Sequence, residues 1–243
     1  MASKAGWAKI GQSGAWANTV AGVSLNGRLY TVEGDGKLYA TDARTGAWER
    51  RGEDYSTQHI VTDDGSLYVI EASGSLFAVD PDSGDWSALG EAGAWAGTTA
   101  AVALDGTLYS VSEGRLYATD LEDGSWEEVG DGDDWDTAHL FTDGDALFAI
   151  EGDGSLYRVD PDSGEYERLG DEGGWADTRT GAVLGEHLYT VEASGVLYKT
   201  DLAAGTWEVY GEAEDFGNTQ LLMSSGRAVY AIETNGDLYK LDL

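Results

Sequence analysis

An aromatic side chain recurs in Gly- and Asp-rich connections of this chain, and a carboxylate recurs in step with it. The aromatic residues are Trp16, Tyr55, Trp95, Trp135, Trp175 and Phe216. The carboxylates are Glu33, Glu71, Glu151, Glu192 and Glu233, and Ser112 stands at the sixth equivalent position. An aromatic ring can stack on the C–H groups of a sugar while a carboxylate accepts hydrogen bonds from its hydroxyls. We therefore predict that these residues bind ligand; the alternative is that they pack between strands and accept backbone hydrogen bonds.

Other chemistry has little support in the sequence. The chain has no Cys and therefore no thiol nucleophile, and no Ser is marked as activated by a base. His59 and His139 occupy equivalent positions, but Leu221 stands at the third, so a three-fold metal ring would lack a ligand. We expect these His residues to pack or to line a channel. The expected protein is not an enzyme and has no cofactor and no metal site.

Six Asp residues each end a predicted strand, and in most repeats a Gly follows four residues later. They are Asp42, Asp80, Asp120, Asp160, Asp201 and Asp242. An Asp at this place can bond the N–H groups of its own turn. No loop has the spacing of calcium ligands, so turn capping is the prediction.

The spacing of aromatic residues divides the chain into six repeats. An aromatic residue followed four positions later by Gly recurs at intervals of 41, 38, 40, 40 and 41, at Trp7, Trp48, Trp86, Trp126, Tyr166 and Trp207. Each repeat reads as four short strands with period-two alternation, which in the first repeat span 19–25, 28–33, 37–42 and 47–51. Four strands in about 40 residues indicate a β-propeller blade. We expect the aromatic residues of the fourth strands, and Tyr30, Tyr39 and their equivalents, to lie in the core.

The sixth repeat ends without a fourth strand, and residues 6–11 can supply one. We predict an all-β, six-bladed β-propeller of four-stranded antiparallel blades, in one domain over residues 1–243, with its last blade closed by the N-terminal strand. Small and large residues alternate on the first strands, at Gly22, Ile60, Ala101, Leu140, Gly181 and Leu222. This alternation indicates a pseudo-three-fold repeat of a two-blade unit.

The charge of the chain bounds its partners. Its 45 acidic and 14 basic residues give a net charge of −31, which disfavours nucleic acid and anionic membranes. A halophilic source is the leading interpretation, and design or ordinary acidic variation are the alternatives. No apolar stretch is long enough to span a membrane, and Met1–Ile10 has no signal-peptide core. We expect a soluble monomer, either cytoplasmic or a mature secreted form.

Segments 7–16 and 27–32 resemble the blade repeat of tachylectin-type propeller lectins. The resemblance implies binding of N-acetylated sugars between adjacent blades, although that family uses five longer blades. The turn 80–84 is similar to one in quinoprotein-type propellers. Two hypotheses stay open: a multivalent carbohydrate-binding protein with glycan partners, and a structural or protein-interaction scaffold without a small ligand.

Overall fold

The computed structural model describes residues 6–130, 132, 134–210 and 215–243. All the regular elements in these residues are β-strands, arranged in six antiparallel four-stranded sheets. The chain is a six-bladed β-propeller, which confirms the predicted fold class.

The chain divides into two compact units, Met1–Asp54 with Asp177–Leu243 and Tyr55–Ala176, and each contains three blades. The single-domain assignment stays a prediction. No helix in the described part of the chain could cross a membrane.

The first unit contains blades 1, 5 and 6. Blade 6 consists of β22 (Thr219–Ser225), β23 (Ala228–Glu233) and β24 (Leu238–Asp242), with β1 (Trp7–Ile10) as its fourth strand next to β24. Blade 1 consists of β2 (Thr19–Leu25), β3 (Arg28–Glu33), β4 (Leu38–Asp42) and β5 (Trp48–Gly52). Blade 5 consists of β18 (Thr178–Leu184), β19 (His187–Glu192), β20 (Leu197–Asp201) and β21 (Trp207–Val209).

The second unit contains blades 2, 3 and 4. Blade 2 consists of β6 (Thr57–Asp63), β7 (Ser66–Glu71), β8 (Leu76–Val79) and β9 (Trp86–Leu89). Blade 3 consists of β10 (Thr98–Leu104), β11 (Thr107–Ser112), β12 (Arg115–Asp120) and β13 (Trp126–Val129). Blade 4 consists of β14 (Thr137–Thr142), β15 (Leu147–Glu151), β16 (Leu156–Val159) and β17 (Tyr166–Leu169).

The N-terminal strand closes blade 6, as the missing fourth strand of the last repeat predicts. β1 pairs antiparallel with β24, and Trp7 lies opposite Leu241. The Trp7 ring is buried and packs edge-on against Phe216, with 5.3 Å between the ring centroids. Asp237 fixes the following turn, because its carboxylate accepts hydrogen bonds from Ser13 Oγ at 2.7 Å and Gly14 N at 3.1 Å.

Five of the six strand-ending Asp residues cap their turns, which confirms the prediction for Asp42, Asp80, Asp120, Asp160 and Asp201. Asp242 instead pairs with Lys240 at 2.7 Å. The Asp42 carboxylate accepts hydrogen bonds from Arg44 N at 3.1 Å and Thr45 N at 2.7 Å. Asp80, Asp160 and Asp201 accept the same pair of bonds from the residues two and three positions later. The hydrogen bonds of Thr45 also hold the pKa of Asp42 below its usual range.

Neighbouring blades in the same unit meet through glycine backbone. Gly90 follows the fourth strand of blade 2 and touches Gly124, in the last turn of blade 3; a Cβ on Gly124 would lie 2.3 Å from Gly90 N. Gly11 and Gly46 form the same contact between blades 6 and 1. At Gly11 and Gly90, glycine follows the fourth-strand aromatic residue because this contact has no room for a side chain.

First strands of neighbouring blades pack small residues against large ones. A Cβ added to Gly22 would lie 2.9 Å from Leu221 Cδ2, so the small residue leaves room for that side chain. In the second unit, His59 Nε2 lies 3.0 Å from the carbonyl oxygen of Thr98, and burial lowers the pKa of His59. His59 therefore contacts the backbone of the next blade, in agreement with the expected packing role.

The aromatic residues of the fourth strands correct one expectation. Trp7 is buried, but the other five rings are 48–58% exposed: Trp48, Trp86, Trp126, Tyr166 and Trp207. The prediction that all six belong to the core is therefore wrong. Each of the five strands is the last of its sheet, and its ring packs edge-on against an aromatic residue of the third strand. Tyr166 also lies beside Trp135. Trp7 differs because the ring that packs on it, Phe216, is itself fully buried.

Candidate functional site

Blades 1, 3 and 4 each contain a recess that is built in the same way. Its walls are the aromatic residue of the preceding connection, one aromatic residue of the third strand and one of the fourth. These trios are Trp16, Tyr39 and Trp48 in blade 1, Trp95, Tyr117 and Trp126 in blade 3, and Trp135, Tyr157 and Tyr166 in blade 4. The cavity volumes are 150, 290 and 260 Å³ in that order. We call them the blade 1, blade 3 and blade 4 recesses.

The recesses bring together part of the predicted site. Trp16 and Glu33 line the blade 1 recess, and Trp135 and Glu151 line the blade 4 recess. The blade 3 recess pairs Trp95 with Ser112. An aromatic residue of the connection and the polar end of the second strand therefore meet in these blades, as their sequence positions indicate.

Burial limits what most of the predicted aromatic residues can contact. Trp16, Tyr55, Trp95, Trp175 and Phe216 are only 1–7% exposed. The Trp95 indole donates a hydrogen bond to Thr119 Oγ1 at 3.1 Å, and the Tyr55 hydroxyl donates one to Gly84 O at 2.8 Å. Rings that are buried and bonded in this way offer little surface for stacking on a ligand, so their geometry favours packing.

Trp135 is the exception among these aromatic residues, because its side chain is only half-buried. Its backbone N donates to Gly114 O at 3.1 Å, just as Trp95 N donates to Gly74 O at 3.0 Å. The third strand differs, however: Val159 stands in blade 4 where Thr119 stands in blade 3. Valine cannot accept the indole hydrogen bond, so Trp135 lacks the hydroxyl partner that holds Trp95 inside.

The predicted carboxylates hold the first two strands of their blades together. Thr hydroxyls of the first strands donate to the Glu carboxylates at the ends of the second strands, in the pairs Thr19–Glu33 at 2.7 Å, Thr137–Glu151 at 2.6 Å and Thr178–Glu192 at 2.9 Å. Glu71 accepts a bond from Ser56 N at 3.3 Å, and Glu233 is buried. Burial raises the pKa of Glu33, Glu151 and Glu192, since these carboxylates lose hydration. The geometry therefore gives these carboxylates a part in the fold.

The blade 4 recess combines aromatic and acidic side chains. Its lining residues are Asp134, Trp135, Asp136, Glu151, Asp153, Tyr157 and Tyr166, with no Lys or Arg among them. Among the residues that the structure describes, no group of three or more His, Cys, Asp or Glu could hold a metal ion. The carboxylates therefore supply negative potential to the recess without converging on one point.

Sequence reasoning missed the third- and fourth-strand aromatic residues as recess walls. It assigned Tyr39 and its equivalents to the core together with the fourth-strand rings. The position of the fourth strand as the last of its sheet was the available signal, because a side chain there is covered by one neighbouring strand only.

Comparisons with known proteins support the fold. Residues 12–88 match the family model described as outer membrane protein assembly factor BamB, which is less than half of the chain. No curated protein matches the chain. A structural genomics protein of unknown function from Bacteroides thetaiotaomicron VPI-5482 is similar, with a TM-score of 0.75 and 13% identity over 97% of this chain and 75% of that one.

Two further solved structures are similar to this chain. BamB from Moraxella catarrhalis has a TM-score of 0.55 and 16% identity, covering 91% of this chain and 71% of that one. YCF48 from Cyanidioschyzon merolae has a TM-score of 0.59 and 11% identity, covering 98% of both chains. At these identities the likeness shows the fold alone. The comparisons therefore show a β-propeller repeat protein with a BamB-like segment, and they do not show the tachylectin-type resemblance.

Proposed function

We propose that this protein is a non-enzymatic interaction scaffold, which binds a basic partner protein through the exposed aromatic residues of its fourth strands. One observation carries the proposal: five of the six blades present a half-exposed ring at the same position, and these rings are Trp48, Trp86, Trp126, Tyr166 and Trp207. Scattered apolar side chains on a surface are ordinary. A large aromatic residue repeated from blade to blade is different, because Trp and Tyr are enriched among the residues that dominate binding energy at protein interfaces.

Each of these rings is already ordered by its own blade. Trp86 lies edge-on to Phe77, with 4.8 Å between centroids and 81° between planes, and Trp48 lies edge-on to Tyr39 at 5.2 Å and 90°. The other three rings pack in the same way on third-strand Tyr residues. A side chain held in one position loses little conformational freedom on binding, so its buried area contributes more fully to affinity.

The charge of the chain selects the kind of partner. At a net charge of −31, a basic protein surface is attracted and an acidic one is repelled. The partial match to a family described as an assembly factor for outer membrane proteins adds support for a protein partner.

The carbohydrate hypothesis has less geometric support. Five of its six predicted stacking residues are buried, and the carboxylates that would accept sugar hydroxyls already accept bonds from Thr and backbone groups. A sugar would have to use the third- and fourth-strand rings instead. Glycan binding is therefore kept as an outcome of the test.

A peptide array tests the interaction surface. The probes are peptides rich in Lys and Arg with alternating apolar residues, each paired with a version in which Gln replaces the basic residues. We expect the protein to prefer the basic peptides, with affinity falling as salt rises. The variant W48S/W86S/W126S/W207S should bind them at least about tenfold more weakly, because about 1.4 kcal/mol of lost contact suffices for that change.

The control is Val20→Ser, which removes an equally exposed apolar side chain from the first strand β2. It should bind as the unmodified protein does, and thermal melts should show both variants folded. Equal binding by the quadruple variant, or no preference for basic peptides, would overturn the proposal. Binding to a glycan array that survives the four substitutions would favour the carbohydrate hypothesis.

A further inference from the structure

Three aromatic rings form a corner in the blade 4 recess. The Trp135 and Tyr166 rings are 5.8 Å apart between centroids and inclined at 72°, and the Tyr157 and Tyr166 rings are 5.4 Å apart at 87°. Trp135 and Tyr157 are half-buried, and Tyr166 is exposed. Because the rings are steeply inclined to one another, they can surround a compact ligand group, but they do not form a flat surface on which a ring could stack.

The rest of the recess carries negative charge. Asp134, Asp136 and Asp153 are exposed on its lining, and Glu151 is fixed by the Thr137 hydroxyl and by Asp136 N, each at 2.6 Å. None of the described residues that line it is basic.

Two basic residues stand near these rings in the strand register. Arg158 follows Tyr157 in β16, and its guanidinium lies 3.9 Å from the Glu167 carboxylate. Arg168 lies opposite Tyr157 in the pairing of β16 with β17, but its guanidinium contacts Glu172 at 3.1 Å. Both are therefore engaged elsewhere, and the aromatic corner is left for a ligand.

We propose that the blade 4 recess binds a methylated ammonium group. A quaternary ammonium cation is attracted to the faces of Trp and Tyr rings, and such cations are recognised by aromatic cages of this kind. It is weakly hydrated and cannot donate strong hydrogen bonds, so the surrounding carboxylates act through their field and need not converge on one atom. A neutral sugar would gain nothing from that field and would prefer a flat ring.

The blade 3 recess is the matched negative case. It has the same aromatic positions, but its Trp95 indole is tied to Thr119 and buried, and Ser112 replaces the carboxylate of Glu151. The proposed site therefore depends on residues that differ between two recesses of one unit, and it goes beyond the interaction scaffold without resting on it. The quadruple variant described above leaves Trp135, Tyr157 and Tyr166 intact, so the two proposals can fail separately.

An NMR titration with choline chloride tests the site, at ionic strength held constant with sodium chloride. We expect the Trp135 indole resonance to shift with a Kd of about 1 mM or lower, as a few cation–π contacts would give. The neutral isostere 3,3-dimethyl-1-butanol has the same shape without the charge and should bind at least about tenfold more weakly. A peptide carrying trimethyl-lysine provides a second arm, and whichever probe binds more tightly identifies a small quaternary ammonium compound or a protein side chain as the source of the ligand group.

Two substitutions at equivalent strand positions make the test specific. Tyr157→Ala should weaken choline binding at least about tenfold, whereas Tyr117→Ala in the blade 3 recess should leave it unchanged. Tyr166→Ala serves as a second variant, because its exposed ring can be removed with little loss of fold. Equal affinity for choline and its neutral isostere, or equal loss in both recess variants, would overturn the proposal. Tighter binding of N-acetylglucosamine at Trp135 would replace it with a sugar site.

Discussion

At the scale of single residues, equivalent positions of the repeat differ in their hydrogen-bond partners and in their exposure. The Trp95 indole donates to Thr119 and is buried, whereas Val159 stands at the equivalent position of blade 4 and Trp135 is half-buried. The Thr–Glu pairs show the opposite case, in which a polar group that could bind ligand is engaged within its blade. Glu192, paired with Thr178, is only 8% exposed and keeps its carboxylate at a cost in hydration.

This cost predicts a dependence on pH. Burial raises the pKa of Glu192, so the folded chain binds the proton more tightly than the unfolded chain does. Ionisation therefore destabilises the folded state as pH rises above 4.5 through the raised pKa, and the loss is complete above it. Glu192→Gln keeps an oxygen for the Thr178 hydroxyl and removes the charge. We expect it to raise the melting temperature at pH 7 and to have no such effect below pH 4.5.

The control is Glu127→Gln on the exposed face of β13, which removes one charge without relieving burial. Thermal melts of both variants between pH 4 and 8 separate the two effects, because only the gain of Glu192→Gln should exceed the general relief of repulsion. A Glu192→Gln variant less stable than the unmodified protein at pH 7 would show that the charged hydrogen bond from Thr178 outweighs burial.

At the scale of the strands and turns, the sequence predicts most of the fold. The repeat spacing gives four strands per blade with ends within about one residue of those observed in blade 1, and the missing strand of the last repeat gives β1. The alternation of apolar and polar residues along a strand cannot show whether a neighbouring strand covers its apolar side chains. It therefore places Trp48 in the core, although that ring is half exposed. For the same reason the sequence predicts that Trp135 and Glu151 lie close together, but it does not show that Trp135 is more exposed than the other five aromatic residues of the connections.

Glycine at the contact between blades gives the prediction at this scale. Gly124→Ala would place a Cβ 2.3 Å from Gly90 N, and Gly106→Ala would meet nothing within 4 Å. Both glycines have positive φ, of 76° and 80°, so both substitutions strain the backbone by about 1–2 kcal/mol. We expect urea unfolding to show that loss for Gly106→Ala and a loss of about 3 kcal/mol or more for Gly124→Ala, since backbone must also move apart. Equal losses would show that the contact between Gly90 and Gly124 can open without cost.

At the scale of the whole molecule, charge is the dominant property. The ion pairs of the described residues are mostly exposed, as between Arg28 and Glu49 or Arg115 and Glu128. Such pairs contribute little to stability, and 45 acidic residues far exceed the 14 basic ones that could compensate them. Folding therefore concentrates negative charge that the unfolded chain keeps further apart. The same negative charge that favours a basic partner destabilises the folded state in dilute buffer through self-repulsion.

Salt should reduce this destabilising repulsion. The Debye length falls from about 10 Å at 0.1 M to about 3 Å at 1 M, so repulsion between exposed carboxylates is largely screened over that range. We expect the melting temperature to rise with sodium chloride up to about 1 M, and to rise similarly with potassium chloride because screening depends on ionic strength. Binding of basic peptides should weaken over the same range, because salt also screens the attraction between the peptides and the negative surface. A melting temperature that is flat or falls would mean that the charges are compensated locally, and the halophilic interpretation would then be abandoned.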